Sequence, residues 1–145
     1  MINFVAIMHK YIKIFLISVM TVLCGLAAGA QDEIMPMDPN EMYADTQKAI
    51  DAFTKKMNQE LKLADWQQFK MDSLLNVNFF GKTNELLDMN MRKVSAINLY
   101  QMISDKWDEK TYESIHLILN DEQWEKYLKL GAAKEKRQRD KRAKK

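Results

Sequence analysis

The sequence predicts an all-α fold with about four helices. Apolar residues recur at spacings of three and four from residue 42 onward, and no stretch alternates apolar with polar residues over the length of a strand. Glycine and proline are scarce, with four glycines and two prolines in 145 residues, too few for a turn-rich all-β fold. We therefore expect a helical hairpin or bundle with a flexible N-terminal leader and a basic C-terminal tail.

Residues 1–30 have the pattern of a signal peptide. A basic n-region with Lys10 and Lys13 precedes an apolar run over residues 14–23, and small residues before and at Ala30 form a candidate cleavage site. The pattern predicts export and cleavage after Ala30, since a membrane span needs ~20 apolar residues. Retention as an anchor is the alternative, and Met8 is a second candidate for the true start.

The remaining 115 residues divide by composition into three parts. Residues 31–40 hold both prolines and read as a flexible acidic leader, residues 41–131 as the helical domain, and residues 132–145 as a basic tail. The only cysteine, Cys24, lies in the predicted signal peptide. Stability must then come from packing without disulfides, which favours a bacterial periplasm.

The tail concentrates positive charge. Residues 134–145 carry eight basic and two acidic side chains, so an acidic body precedes a basic tail. We expect a solvated tail, with weak contact to an anionic membrane surface, acidic clients or a second copy as alternatives. Export argues against nucleic acid as a partner.

Four helices follow from the apolar spacing. The first is expected to end near Leu61 and the second to begin at Asp65, with Gly81 its likeliest break. The third begins at Ser95 or Ala96, and the fourth follows Asn120. The second helix is expected to bury one stripe, formed by Trp66, Phe69, Ser73, Val77, Phe80, Leu87 and Met91.

A short phrase occurs twice, as Leu63-x-x-x-Gln67 and as Leu119-x-x-x-Gln123. In the second copy Asn120 is a good N-cap, and Gln123 can reach back to the cap. The first copy has Ala64 at the cap position, so its helix should start less sharply. The predicted motif residues, all with a structural role at helix starts, are Leu63, Asp65, Gln67, Leu119, Asn120 and Gln123.

The residue inventory argues against catalysis. After cleavage the chain has one histidine, His116, no cysteine and no glycine-rich phosphate loop, so no catalytic residue, cofactor or metal site is predicted. His116 is expected to be a partly buried structural residue. Met35 and Met37 beside acidic residues of the leader could hold copper weakly, against the simpler interpretation of a disordered acidic leader.

Methionine is abundant, with eight residues in the predicted mature chain. Met71, Met89 and Met102 lie off the predicted apolar stripes and are the candidate client-binding residues. Flexible, polarizable side chains on a surface suit promiscuous apolar recognition, although methionine also fills gaps in cores.

The paired phrases resemble the LTxxQ motifs of the Spy/CpxP family of small, exported helical proteins. Ala64 and Asn120 stand in place of the family's threonine, and the resemblance covers most of residues 61–130. It is closest to exported members of Bacteroidetes type. The resemblance implies an elongated or curved helical cradle, often dimeric, in which the motif residues are structural and the concave face handles clients.

The expected function is therefore that of a non-enzymatic, exported periplasmic binding protein, chaperone-like and independent of ATP, or linked to envelope stress. Its partners would be unfolded or partly folded proteins. The alternatives are a regulatory partner of a sensor-kinase periplasmic domain and a metal-responsive protein. A homodimer is compatible with each.

Overall fold

The computed structural model describes residues 36–144, which form only helices and connecting turns. The all-α prediction is therefore confirmed for this part of the chain. The helices are α1 (Pro39–Leu61), α2 (Asp65–Met91), α3 (Ile97–His116), α4 (Asp121–Tyr127) and α5 (Ala133–Ala143), and one π-helical segment (Leu128–Ala132) joins α4 to α5.

Helix α2 packs against both α1 and α3, and each of these pairs is antiparallel. Toward the start of α1, the Tyr43 hydroxyl donates to Asn84 Oδ1 at 2.7 Å. Near its end, Asn58 Nδ2 donates to Gln68 Oε1 at 3.3 Å. As the chain advances along α1 its partners move backward along α2, which is the geometry of a tight helical hairpin.

The hydrophobic core lies where α1, α2 and α3 meet, and α4 closes one end of it. Its most deeply buried apolar side chains are Ile50, Met57, Met71, Leu75 and Ile115. In α1 the buried apolar residues are Ile50, Met57 and Leu61, at intervals of seven and four that place them on one face of the helix, as the apolar spacing predicted.

The apolar stripe predicted for α2 is confirmed only in part: Leu87 is buried and Phe80 packs against the core, but the other members lie outside it. Trp66, Phe69 and Val77 are exposed, whereas the buried face of α2 carries Gln67, Met71, Leu75, Asn78, Thr83, Leu87 and Asn90. Four of these seven residues are polar. Asn78 donates to Thr111 at 3.2 Å and the Thr83 hydroxyl is 2.7 Å from that of Thr46, so buried polar groups are paired across the helices.

Gly81 does not break α2, contrary to its predicted role as the likeliest break. A Cβ atom at this position would lie 2.8 Å from Cζ2 of Trp107 and closer still to Cη2. The Trp107 ring is held in place because its Nε1 donates to Glu85 at 2.7 Å. The glycine therefore serves the close approach of α3 to α2.

The helical domain begins earlier than predicted. Helix α1 starts at Pro39, and the Asp38 side chain caps it by accepting from the Asn40 N–H at 2.9 Å. Proline suits the first position of a helix because its missing N–H would have no partner there. The leader predicted for residues 31–40 is thus partly helical, and residues 31–35 lie outside the described part of the chain.

The tail is also not the solvated extension that its composition predicted. Helix α5 packs antiparallel against α3. Arg142 binds Asp105 through two hydrogen bonds of 2.7 and 2.6 Å, and Arg139 donates to Glu109 at 3.1 Å. Acidic residues of α3 thus form ion pairs with basic residues of the tail. The search for an apolar face on the tail helix could not predict this docking.

The docked tail has a defined pH dependence. Burial alone would raise the pKa of Asp105, but hydrogen bonds from Arg142 and Gln101 outweigh burial and hold the pKa below its ordinary value. A carboxylate with a lowered pKa stabilises the fold above its unfolded pKa of about 3.9, and this contribution disappears as the pH falls through the folded value. Docking of α5 should therefore persist at neutral pH and weaken only in acid.

Asp105→Asn should release α5, because it removes the charge that holds Arg142 while nearly preserving shape. We expect tryptic cleavage within residues 134–145 to accelerate about three- to tenfold at neutral pH, since local opening exposes the basic residues. Asp72→Asn, at an exposed position of α2, is the matched control and should leave the rate unchanged. Equal cleavage rates in both variants would contradict the docking role of Asp105.

Candidate functional site

The two copies of the repeated phrase occupy equivalent positions, each at the start of a helix. Leu63 and Leu119 are both buried, and the following residues open α2 and α4. Asn120 accepts from the Gln123 N–H at 2.9 Å, while Gln123 Oε1 accepts from the Asn120 N–H at 3.1 Å. The predicted capping role of Asn120 and Gln123 is confirmed.

The first copy reproduces half of this arrangement. Gln67 Oε1 accepts from the Ala64 N–H at 2.9 Å, while the methyl side chain of Ala64 cannot cap. Helix α2 nevertheless begins directly at Asp65. The start at Asp65 and the lack of a side-chain cap at Ala64 are both as predicted; Gln67 satisfies one backbone group there, and Leu63 is buried beside it.

The two motif glutamines also bind each other. Gln67 Nε2 donates to Gln123 Oε1 at 2.7 Å, and Gln123 Nε2 donates to Gln67 Oε1 at 3.1 Å. Each side-chain amide also donates to a backbone carbonyl at the other turn. Gln67 donates to the Ile118 carbonyl at 2.9 Å, and Gln123 donates to the Leu61 carbonyl at 3.2 Å. We call this reciprocal arrangement the glutamine clasp.

The glutamine clasp explains why the phrase occurs twice. Each glutamine accepts a hydrogen bond from the backbone N–H at the start of its own helix and donates one to a backbone carbonyl at the other turn. The two copies therefore complement each other. The clasp ties the α1–α2 turn to the α3–α4 turn across 56 residues of sequence. It is a structural device, with no side chain arranged to attack or protonate a substrate.

The methionines predicted to bind clients differ in their surroundings. Met71 is fully buried in the core, so its assignment to a binding surface is wrong. Met89 is half-buried and Met102 is 62% exposed, so these two stay predictions. Met71 fails because the buried face of α2 is rotated from the stripe that the apolar spacing predicted.

The rotation of α2 leaves large apolar side chains on its outer face. Trp66, Phe69 and Val77 are 56, 75 and 64% exposed, and Ser73 lies between them on the same face. We call these four residues the α2 stripe. They extend along about 16 Å of helix, given 1.5 Å per residue. Nothing in residues 36–144 covers them, and sequence reasoning missed this surface by assigning it to the core.

Charged residues of both signs flank the α2 stripe. Lys70 Nζ lies 5.5 Å from the centroid of the Trp66 ring, within the range of a cation–π contact. Asp65 and Asp72 are also exposed. Large exposed apolar groups rimmed by charge are typical of surfaces that contact other molecules.

The described residues show no constellation for metal or nucleophilic chemistry. Within residues 36–144 there is no group of three or more histidine, cysteine, aspartate and glutamate side chains able to hold a metal ion. The ring of His116 stacks on Trp124 with centroids 4.1 Å apart, but the residue is exposed rather than partly buried as predicted. Of the proposed copper ligands, Met37 binds through its backbone N–H to Asn90 Oδ1 at 3.0 Å, and Met35 lies outside the described residues.

Comparison with protein-family models, with curated proteins and with solved structures finds no match for this chain. No helix between residues 36 and 144 is long and apolar enough to span a bilayer.

Proposed function

We propose that this protein is an exported, periplasmic binding protein that holds partly unfolded proteins without using ATP. The observation that carries the proposal is the α2 stripe, in which Trp66, Phe69 and Val77 are more than half exposed on one helix face. A partly unfolded chain exposes apolar side chains of the kind that such a stripe can shield from water. The resemblance to the Spy/CpxP family supports the same assignment.

The support for the α2 stripe is rigid. Helix α2 is held on one side by α1 and on the other by α3, and the glutamine clasp fixes its start. Little conformational entropy is then lost when a client binds, because the apolar side chains already stand on an ordered helix. A preformed surface of this kind favours rapid, reversible contact.

The proposed binding is weak, which lets a client leave without ATP. The stripe offers three large apolar side chains and no enclosed groove, so each client segment gains little apolar burial. Lys70, Asp65 and Asp72 add contacts that are screened by salt. Release then follows when the client folds and withdraws its own apolar residues.

The test is suppression of aggregation of a reduced or heat-treated model client by residues 31–145. We expect the wild-type chain to suppress light scattering at a few-fold molar excess, and Phe69→Ser combined with Val77→Ser to lose about three- to tenfold in potency. The matched control is Leu117→Ser, which removes an exposed apolar side chain from the turn after α3. Thermal unfolding of each variant should resemble wild type, because these side chains are exposed.

Two results would contradict the proposal: absence of suppression by the wild-type chain, or equal loss of potency in the control variant. Saturable binding to one folded sensor domain, lost in the Phe69/Val77 variant while aggregation is unaffected, would instead support the regulatory alternative. The Leu117→Ser control distinguishes client holding and sensor binding from nonspecific association through any exposed apolar residue.

A further inference from the structure

The outer face of α5 carries a row of exposed cations. Lys134, Arg137, Lys141 and Lys144 recur at intervals of three and four residues, and all four residues are exposed. Residues at these intervals are neighbours on one face of a helix. They extend along about 15 Å at 1.5 Å per residue. We call these four residues the cationic row.

The docking of α5 decides which of its basic residues face outward. Lys136 and Arg139 pair with Glu109 of α3 at 2.9 and 3.1 Å. Arg142 pairs with Asp105 of the same helix at 2.6 Å. At 3.6 residues per turn, these three cations lie on the opposite face of α5 from the cationic row. Docking therefore turns the row toward solvent.

The acidic side chains of α5 are engaged away from most of the cationic row. Asp140 pairs with Lys136 at 2.6 Å. Glu135 interacts electrostatically with Arg139 and with Lys56 of α1. Within residues 36–144 the first three members of the row form no ion pair, whereas the last interacts with Asp140. The row thus keeps at least three positive charges that nothing in the described chain neutralises.

An open cavity adjoins the start of the cationic row. It has a volume of about 510 Å³, and its lining side chains include Glu125, Leu128, Lys129, Ala133, Lys134 and Arg137. The Glu125 carboxylate lies 4.0 Å from Lys129 Nζ, so the charges of Lys134 and Arg137 are in excess. The cavity therefore combines positive charge with apolar surface, which suits a segment that carries both carboxylates and apolar side chains.

The excess of positive charge is local. Residues 31–145 carry 20 basic and 20 acidic side chains, so this part of the chain has no net charge that would attract every anion. Any affinity for an anionic partner must then come from a particular surface, and the cationic row is the surface that docking leaves unpaired.

We propose that the cationic row and the adjoining cavity form a binding site for an acidic polypeptide segment. Carboxylates along an extended segment meet successive cations of the row, and an apolar side chain of the same segment enters the cavity. The proposal does not rest on client holding by the α2 stripe, because the site lies on another helix and is tested with a defined peptide.

The composition of α5 favours a polypeptide over the other polyanions. The helix has no aromatic side chain on which a nucleobase could stack, and no large apolar side chain that could insert into a bilayer. Three of the four cations in the row are lysines, which lack the bidentate guanidinium fork that suits phosphate.

The experiment measures fluorescence anisotropy of a labelled peptide of about eight residues in which Glu alternates with Ser and one Leu, long enough to span the row at ~3.3 Å per residue. Residues 31–145 serve as the protein, since a compact unit begins at Ile34. We expect binding that weakens at high salt, and none to the same peptide with Gln in place of Glu. The triple variant Lys134→Gln, Arg137→Gln and Lys141→Gln should lower the affinity about tenfold, because exposed ion pairs are individually weak but are here removed together.

The matched control is the triple variant Lys48→Gln, Lys55→Gln and Lys93→Gln, which removes the same charge from exposed positions elsewhere and should bind as wild type does. Thermal unfolding of both variants would show that each keeps its fold. The proposal is overturned if wild type does not bind the Glu peptide at low salt, or if both triple variants lose affinity equally. Tighter binding of a single-stranded oligonucleotide or of phosphatidylglycerol vesicles at equal charge, lost in the row variant, would also overturn it by assigning the row to another class of partner.

Discussion

Gln67→Ala is expected to lower the free energy of unfolding by about 3 kcal/mol, because a buried hydrogen-bonding group costs about 1–3 kcal/mol when left unpaired. The variant removes the partner of the Gln123 amide, of the Ile118 carbonyl and of the Ala64 N–H at once. Gln67 is buried, so water replaces these partners poorly. Urea unfolding followed by circular dichroism measures the change.

The control for this loss is Gln59→Ala, an exposed position on α1 that should change stability by less than about 0.5 kcal/mol. The Gln67→Ala and Gln123→Ala double variant tests reciprocity. Because each single variant already breaks the clasp, the double variant should lose clearly less than the two single losses combined. Strict additivity would show that the two amides do not act as a pair.

Gly81→Ala is expected to destabilise the protein by about 1–3 kcal/mol, the usual cost of overpacking a filled core. In an ordinary helix the same change would stabilise by about 1 kcal/mol. The sign is reversed because the new methyl group would overlap the Trp107 ring, which its bond to Glu85 prevents from moving away.

Replacing the Trp107 ring by a smaller side chain should restore the usual stabilising effect of Gly81→Ala. In a Trp107→Leu background, Gly81→Ala is expected to be neutral or stabilising, which thermal unfolding of the four variants in the cycle would show. Gly131→Ala is the contrasting case: its φ of 127° disfavours any side chain, although the space around it is open. Its cost should be the same in both backgrounds, because strain at the backbone does not depend on Trp107.

Helix positions follow closely from local chemistry. Asn120 and Gln123 predicted the start of α4, and the apolar spacing of α1 predicted both its end near Leu61 and its buried face. Capping and spacing involve groups within four residues of one another, so the sequence records them directly. The same locality explains why the start of α2 at Asp65 was predicted.

The candidate surfaces required the packing of distant segments. Apolar residues occur all around α2, and Gln67, Asn78 and Thr83 are buried against partners on other helices. Periodicity therefore pointed to Trp66 and Phe69 as core. The exposed stripe becomes visible only when α1 and α3 have occupied the other two faces of the helix.

The basic tail shows the same limit. Its composition indicates a helix without an apolar face, and the sequence offers no local reason for it to dock. Docking depends on Asp105 and Glu109 of α3, which lie 37 and 30 residues away from Arg142 and Arg139.

The amino-acid sequence by itself determined that this protein is all-α and where most of its helices begin and end, because caps, breakers and apolar spacing act over a few residues. Only the tertiary structure decided which face of α2 is covered, that the motif glutamines clasp each other and that the tail is neutralised by α3. Those outcomes depend on contacts between residues up to 62 positions apart. Such contacts form only when the helices pack, and it is packing that leaves Trp66, Phe69 and Val77 exposed.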